Sequence, residues 1–183
     1  MDIQRIYLEA LKFASAKHFD KNQLVPGTNL PYVVHLSCVA MEILVTALHT
    51  PNFDLNIALP IALLHDTIED TKTDFNELQN KFGLEVAIGV SALTKNIELP
   101  KGQQMFDSLT RIKKLSEEIW AVKLADRITN LQPPPPHWNK QKKLNYQNEA
   151  KLILNELKTG NSYLANRLEI KIEEYGSYIN RDL

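Results

Sequence analysis

Four ionisable side chains stand close together directly after one of the most apolar stretches of the sequence. Residues 61–75 read IALLHDTIEDTKTDF and contain His65, Asp66, Glu69 and Asp70. Burying such groups costs free energy unless partners or a metal ion compensate their charge. Imidazole and carboxylate together suit a divalent ion such as Mn²⁺, Fe²⁺ or Zn²⁺. The segment therefore favours a metal site.

The spacing of these residues suggests which of them would bind the metal and which would activate water. Glu69 lies four residues after His65, and Asp70 four after Asp66, so on a helix each pair shares one face. His65 and Asp66 can both reach one ion if they lie near the end of a helix. The two later carboxylates would then be free to orient and deprotonate an attacking water, a route to phosphoester hydrolysis. The alternative is an exposed, acidic helix end, but the preceding apolar run favours a cleft.

Further ligands can come from two apolar segments. His35 lies in PYVVHLSCVAMEIL, although a lone histidine on such a helix is more often a hydrogen-bonded core residue. In IWAVKLADRITNL, the polar residues Lys123, Asp126 and Asn130 recur at spacings of three and four, hence on one helix face. The solvated face of an amphipathic helix would show the same pattern, so both interpretations stay open.

Helical periodicity dominates the elements that must position these groups. A first helix starts near Ile3, and the GTNLP segment separates it from a second helix over 32–48. A third helix, capped by Asp54 and apolar nearly all round, is expected to be central and to run to about residue 70, with Pro60 causing a late start or a kink. A short helix over 74–82 ends at Gly83. Further helices are expected at about 84–94, 104–117, 119–131, 140–158 and 162–179.

No strand pattern is found, so the sequence predicts an all-α fold. We expect residues 1–183 to form a single domain, a bundle of about eight to ten helices around one metal site. The run PPPP at residues 133–136 must end the helix before it and form a stiff spacer of roughly 12 Å. A role of this run as a PxxP ligand is the weaker alternative.

Composition narrows the function classes. Lys and Arg total 21 against 22 for Asp and Glu, so no basic excess suggests a nucleic-acid or membrane-surface partner. Cys38 is the single cysteine and is expected to be buried as apolar filler, and His49 and His137 are expected at the surface. No apolar run is long enough to cross a bilayer, and no signal-peptide core is present, so a cytoplasmic protein is expected.

Taken together, His35, His65-Asp66 and Asp126 resemble the H…HD…D signature of the HD metal-dependent phosphohydrolase superfamily. Within it, the segments PYVVH, ALLHDTIEDT, FGLEVAIGVSALTK, LPK and VKLADRITNL resemble the hydrolase domain of the RelA/SpoT alarmone family. The later HW…Y…A pattern, residues 137–150, also fits the stand-alone small alarmone hydrolases. The resemblance covers about residues 2–175.

This resemblance implies both an activity and a set of site residues. One Mn²⁺ would be held by His35, His65, Asp66 and Asp126. Glu69 and Asp70 match the catalytic acidic pair that positions and activates the attacking water. The implied reaction removes the 3′-pyrophosphate of ppGpp and pppGpp, giving GDP or GTP. The implied substrate contacts are Asn130, Lys101 and Lys142, with Lys21 as the remaining basic residue before the Pro-Tyr motif.

Two segments differ from the family pattern and touch the nucleotide pocket. Relatives usually carry an Arg-Arg-Lys or Arg-Lys cluster before Pro-Tyr, whereas HFDKNQLVPGTNLPY has only Lys21 and one extra residue. Gln132 and prolines replace an Arg-Thr-Leu-like continuation. A different substrate is therefore the first alternative: NADPH, an adenosine alarmone or a nucleoside monophosphate. A non-catalytic nucleotide-sensing module is the second.

Overall fold

The computed structural model describes the backbone of residues 2–180 and the side chains through residue 179. Within that range every regular element is a helix, and the only β-type pairing is an isolated bridge between Leu24 and Pro31. The all-α prediction is confirmed. The ten helices are, in order, α1 (Ile3–Phe19), α2 (Val33–His49), α3 (Leu55–Leu64), α4 (Thr67–Asp70), α5 (Phe75–Phe82), α6 (Leu84–Leu93), α7 (Lys101–Ile112), α8 (Glu117–Asn130), α9 (Lys140–Leu157) and α10 (Ser162–Asn180).

Helix α3 lies at the centre of the fold, as its sequence predicted. Every residue from Ala58 to Leu64 is buried, and the helix packs against α1, α2, α6 and α8. A helix that is apolar on all faces is stable only when other elements surround it. The helix begins at Leu55, well before Pro60, so the late start is excluded.

Local capping explains where several helices begin and end. The Asp54 carboxylate accepts a hydrogen bond from the Asn56 N–H at 2.8 Å, so the predicted cap of α3 is confirmed. Gly83 separates α5 from α6 with φ of +92°, a conformation that side chains with a Cβ rarely adopt. These signals are local in sequence, which is why they could be found there.

Two helix ends differ from prediction. The third helix stops at Leu64, and a corner at His65 and Asp66 separates it from the one-turn α4. The Thr67 hydroxyl donates to the Leu64 carbonyl at 2.6 Å, which satisfies the helix end and lets the chain turn. Helix α7 ends at Ile112 instead of about residue 117, because residues 113–116 form the turn that leads into α8.

The prediction for Cys38 is wrong, because this residue is exposed. Helix α2 is apolar on more of its circumference than the core can cover. Leu36, Val39 and Ile43 face the core, whereas Cys38 shares the outer face with Met41, whose side chain is 59% exposed. An apolar run predicted the helix but not the angle at which it meets its neighbours.

Two of the connections between helices lie against each other. The α1–α2 loop, residues 20–32, lies against the proline-rich connection between α8 and α9, residues 131–139: a Cβ on Gly27 would approach the Pro135 side chain to 3.2 Å. Helix α8 ends at Asn130, so the prediction that the prolines terminate a helix is confirmed. None of the helices in residues 2–180 is long and apolar enough to cross a membrane.

Candidate metal centre and active site

Three side chains from three helices converge in the buried interior. His35 belongs to α2, His65 caps α3 and Asp126 belongs to α8, and one ligand atom of each lies within 4.8 Å of the others. The two imidazole Nε2 atoms are 3.4 Å apart, and they lie 3.4 and 3.5 Å from Asp126 Oδ1. The structure therefore brings together residues that are 91 positions apart in sequence at their extremes.

Asp66 lies next to this group, at the corner between α3 and α4. Its Oδ2 lies 2.9 Å from His65 Nε2 and 3.7 Å from His35 Nε2. The Tyr32 hydroxyl donates a hydrogen bond to the same oxygen. Burial and the charge of Asp66 raise the pKa of Tyr32, so the phenol keeps its proton and remains a donor.

The donor set fits a divalent cation. Ligands that each lie about 2.0–2.2 Å from one ion are separated from each other by roughly 3 Å. The distances from the imidazole Nε2 atoms to each other and to the Asp66 and Asp126 oxygens, 2.9 to 3.7 Å, are close to this spacing. His65 Nδ1 donates to the Ala62 carbonyl at 2.8 Å, so its Nε2 is the nitrogen left to face the cluster. A second hydrogen bond of this kind is how proteins fix the orientation of metal-binding imidazoles.

Helix α8 supports the cluster with a buried polar stripe. Lys123 Nζ donates to Asp126 Oδ2 at 3.3 Å, and the Asn130 amide donates to Asp126 Oδ1. Lys123 and Asp126 are each only 6% exposed. The interpretation of this stripe as a solvated helix face is therefore wrong, because the stripe points inward.

Electrostatics prepare the cluster for a cation. Burial alone would raise the pKa of Asp126, but the Lys123 ammonium and the imidazoles hold that pKa well below its ordinary value. Burial would lower the pKa of His65, yet the charges and hydrogen bonds of Asp66 and Asp126 raise it well above its ordinary value. A divalent ion can take the place of this proton, since both would be stabilised by the same two carboxylates.

The two acids of α4 lie beside the cluster and have different partners. Glu69 Oε2 accepts the Lys95 backbone N–H at 2.9 Å, and the Lys95 ammonium lies 3.4 Å from Oε1. Asp70 Oδ2 accepts from the Gln23 side-chain amide at 2.7 Å. Burial raises the pKa of Asp70, while the Gln23 hydrogen bond opposes this by favouring the ionised form.

A pocket of about 230 Å³ adjoins the cluster and is lined by one of the predicted substrate contacts, Asn130. Its lining also includes His35, a member of the cluster, and Trp138. The Lys142 ammonium sits over the Trp138 ring, 4.3 Å from its centroid. Lys21 and Lys101 are both exposed, and no contact within residues 2–179 joins either to the cluster.

Sequence reasoning missed four residues around the cluster. Tyr32 precedes His35 by one helical turn, so its position could have been noticed. Lys95 lies in the ALTK segment but had no assigned role. For His18 and Gln23 no sequence signal existed, since their partners come from elsewhere in the fold.

Comparison with known proteins agrees with this geometry. A family model described as the HD domain matches residues 10–170. The chain belongs to the HD-domain family. The guanosine-3′,5′-bis(diphosphate) 3′-pyrophosphohydrolase MESH1 of Xenopus tropicalis is 31% identical over 175 residues, which are 93% of this chain and 95% of that protein. The Mus musculus MESH1 is 33% identical over 174 residues, covering 92% and 94%.

A longer relative and two solved structures extend the comparison. A guanosine-3′,5′-bis(diphosphate) 3′-pyrophosphohydrolase of Aquifex aeolicus is 30% identical over 134 residues, 72% of this chain but 17% of that protein. The structure of a metazoan SpoT ortholog that hydrolyzes ppGpp superposes with a TM-score of 0.80 at 28% identity, covering 93% and 96% of the two chains. The lmo0812 structure from Listeria monocytogenes, with a TM-score of 0.63 at 20% identity over 81% and 99%, shows the fold alone. The predicted resemblance to RelA/SpoT-type HD hydrolases is confirmed.

Proposed function

We propose that this protein is a metal-dependent (p)ppGpp 3′-pyrophosphohydrolase. The observation that carries the proposal is the buried His35–His65–Asp126 cluster with the Glu69 and Asp70 carboxylates beside it. The MESH1 relatives named for this activity match nearly the whole chain at about 30% identity. The combination of donor set and neighbouring acids is what a hydrolase of phosphoester bonds needs.

We propose one Mn²⁺ as the cofactor, held by His35, His65, Asp66 and Asp126. Two imidazoles and two carboxylates form a donor set that Mn²⁺ accepts. Harder ions are usually bound by oxygen ligands alone and do not need the imidazoles. When bound, the ion supplies Lewis-acid polarisation of the phosphoryl oxygens and lowers the pKa of water. The hydrogen bonds of His65 to Ala62 and of Asn130 to Asp126 keep the ligands oriented.

The residues of α4 carry the proton transfers. A water oxygen forms a bond to the phosphorus attached to the nucleotide 3′-oxygen, and the bond between that phosphorus and the 3′-oxygen breaks. We assign Glu69 and Asp70 as the carboxylates that accept the proton of the attacking water, and this proton then passes to the departing 3′-oxygen. For ppGpp the products are GDP and pyrophosphate.

Contacts to the nucleotide are assigned to the residues around the 230 Å³ pocket. Asn130 presents its amide at the junction of pocket and cluster. Lys142 extends a positive charge from the rim, and Lys21 and Lys101 are further cations for the phosphates. Of the three lysines, Lys142 has the strongest support, because the Trp138 ring against which it packs lines the pocket.

The test is turnover of ppGpp by purified protein in the presence and absence of Mn²⁺, with products separated by chromatography. Formation of GDP and pyrophosphate only with the metal is the expected result. Turnover of NADPH, an adenosine alarmone or a nucleoside monophosphate in preference to ppGpp would contradict the substrate assignment. A protein that binds no divalent ion would instead support the non-catalytic sensing module.

A further inference from the structure

A chain of two side-chain hydrogen bonds leads from α1 to one of the acids of α4. His18 Nδ1 lies 2.7 Å from Gln23 Oε1, and Gln23 Nε2 lies 2.7 Å from Asp70 Oδ2. The amide nitrogen can only donate and the amide oxygen can only accept. Gln23 therefore donates to the Asp70 carboxylate and accepts from the protonated Nδ1 of His18, which fixes the direction of both bonds.

Gln23 is held in place by its backbone as well. Its N–H donates to the His18 carbonyl at 3.2 Å, and its own carbonyl accepts from the Tyr32 N–H at 3.1 Å. The His18 ring packs on the Tyr32 ring with centroids 4.7 Å apart. The side chain that contacts Asp70 is thus anchored at both ends of the α1–α2 loop.

The buried His18 ring makes a hydrogen bond to Gln23 with one nitrogen and leaves the other without a partner in the described part of the chain. The ring is only 2% exposed, and within residues 2–179 its Nε2 has no hydrogen-bond partner. Burying a polar ring atom without a partner costs free energy. The bond to Gln23 is the hydrogen bond that the buried ring does make, so the position of this imidazole is explained by the amide it orients.

We propose that Gln23 is a positioning residue for Asp70, and that His18 acts through Gln23. This inference rests on the proposed function, in which Asp70 accepts a proton from the attacking water. Because Gln23 occupies Oδ2, the other oxygen, Oδ1, is left for the water. A neutral donor fixes the carboxylate without the charge of a lysine or arginine, which would stabilise the ionised form more strongly and weaken the base.

The first test compares two neighbouring substitutions to the same residue. Gln23→Met keeps the side-chain length but loses both hydrogen bonds, and we expect kcat to fall about tenfold with KM and metal content unchanged. Leu24→Met, next to it in the same loop and 47% exposed, is the matched control and is expected to leave kcat unchanged. Gln23→Glu places a carboxylate against Asp70 and is expected to reduce kcat further than Gln23→Met.

The second test asks whether His18 acts through Gln23. His18→Phe keeps a ring against Tyr32 but removes the donor, and we expect kcat to fall by about threefold. Residues that act in one hydrogen-bond chain have non-additive effects. The double variant His18→Phe/Gln23→Met should therefore show the same kcat as Gln23→Met alone, whereas two independent structural effects would multiply.

The outcomes separate this inference from the function on which it rests. A wild-type protein that turns over no nucleotide defeats both proposals. Wild-type turnover of ppGpp together with an unchanged kcat of Gln23→Met overturns the positioning role alone. A Gln23→Met variant that loses metal and raises KM along with its loss of kcat would also overturn it, because that pattern indicates general structural damage.

Discussion

The two sides of the candidate site are built in opposite ways. The metal cluster is dense in charge, and His35, His65 and Asp126 are all buried. Hydrogen bonds from outside the cluster orient His65, through the Ala62 carbonyl, and Asp126, through the Asn130 amide. The adjoining pocket is walled by prolines and aromatic rings, and the Lys142 side chain that packs on one of these rings is exposed. Because the proposed ligands would act on a single ion, we expect the loss of one of them to abolish the proposed activity. At the pocket, screened charges contribute separately and weakly.

The largest expected effect tests the cluster itself. Asp66→Ala removes a proposed ligand that also accepts a hydrogen bond from the Tyr32 hydroxyl. We therefore expect metal binding and turnover to be abolished together. Metal content by mass spectrometry and ppGpp turnover are measured on the same sample. Asp20→Ala, at an exposed position in the α1–α2 loop, is the control. A variant that stays folded and binds the metal normally would show that Asp66 is no ligand.

The next largest effect distinguishes a residue that binds the metal from one that acts as a general base. Glu69→Gln keeps an oxygen that can accept the Lys95 N–H but removes the basic carboxylate. We expect normal metal content and a fall in kcat of about 10²–10⁴-fold, the usual contribution of a general base. Glu98→Gln, an exposed substitution of the same type, should have no effect. Full activity of Glu69→Gln would refute its assigned role.

A pH series shows whether the cluster exchanges a proton for the metal. The pKa of His65 is raised, so at any pH below that pKa the ring of the metal-free protein carries a proton that it must lose to bind an ion. Below that pKa, affinity should weaken by up to about tenfold per unit of decreasing pH, and above it the dependence should stop. Titration calorimetry between pH 6 and 8 measures this. Affinity that does not change over that interval would contradict the linkage.

The smallest expected effect lies at the pocket. Lys142→Met removes one exposed charge near the nucleotide phosphates, and we expect KM to rise by about two- to fivefold with kcat unchanged. Lys140→Met, two residues earlier at the exposed start of α9, is the control. Raising the salt concentration should reduce the difference between the wild type and Lys142→Met. A loss of kcat at this position would place it in the catalytic machinery and blur the contrast between the two regions.

Much of the fold could be predicted because its signals are local. The Asp54 cap, the Gly83 stop and the apolar sequence of α3 each depend on residues within one or two turns. His65 and Asp66 were noticed because ionisable residues are unusual directly after an apolar run. His35 and Asp126 joined them only through the resemblance to the H…HD…D signature. The end of α3 at Leu64 was missed, since a hydroxyl-to-carbonyl bond at Thr67 decides it.

The sequence by itself determined the helical fold and the central place of α3, and it supplied the candidate metal ligands. Only the tertiary structure decided that Lys123 is buried, that Cys38 is exposed and that Gln23 touches Asp70. The reason is physical. Helix formation and capping depend on neighbours in the chain, whereas burial and hydrogen bonding between distant residues depend on the angle at which helices pack, which local periodicity does not encode.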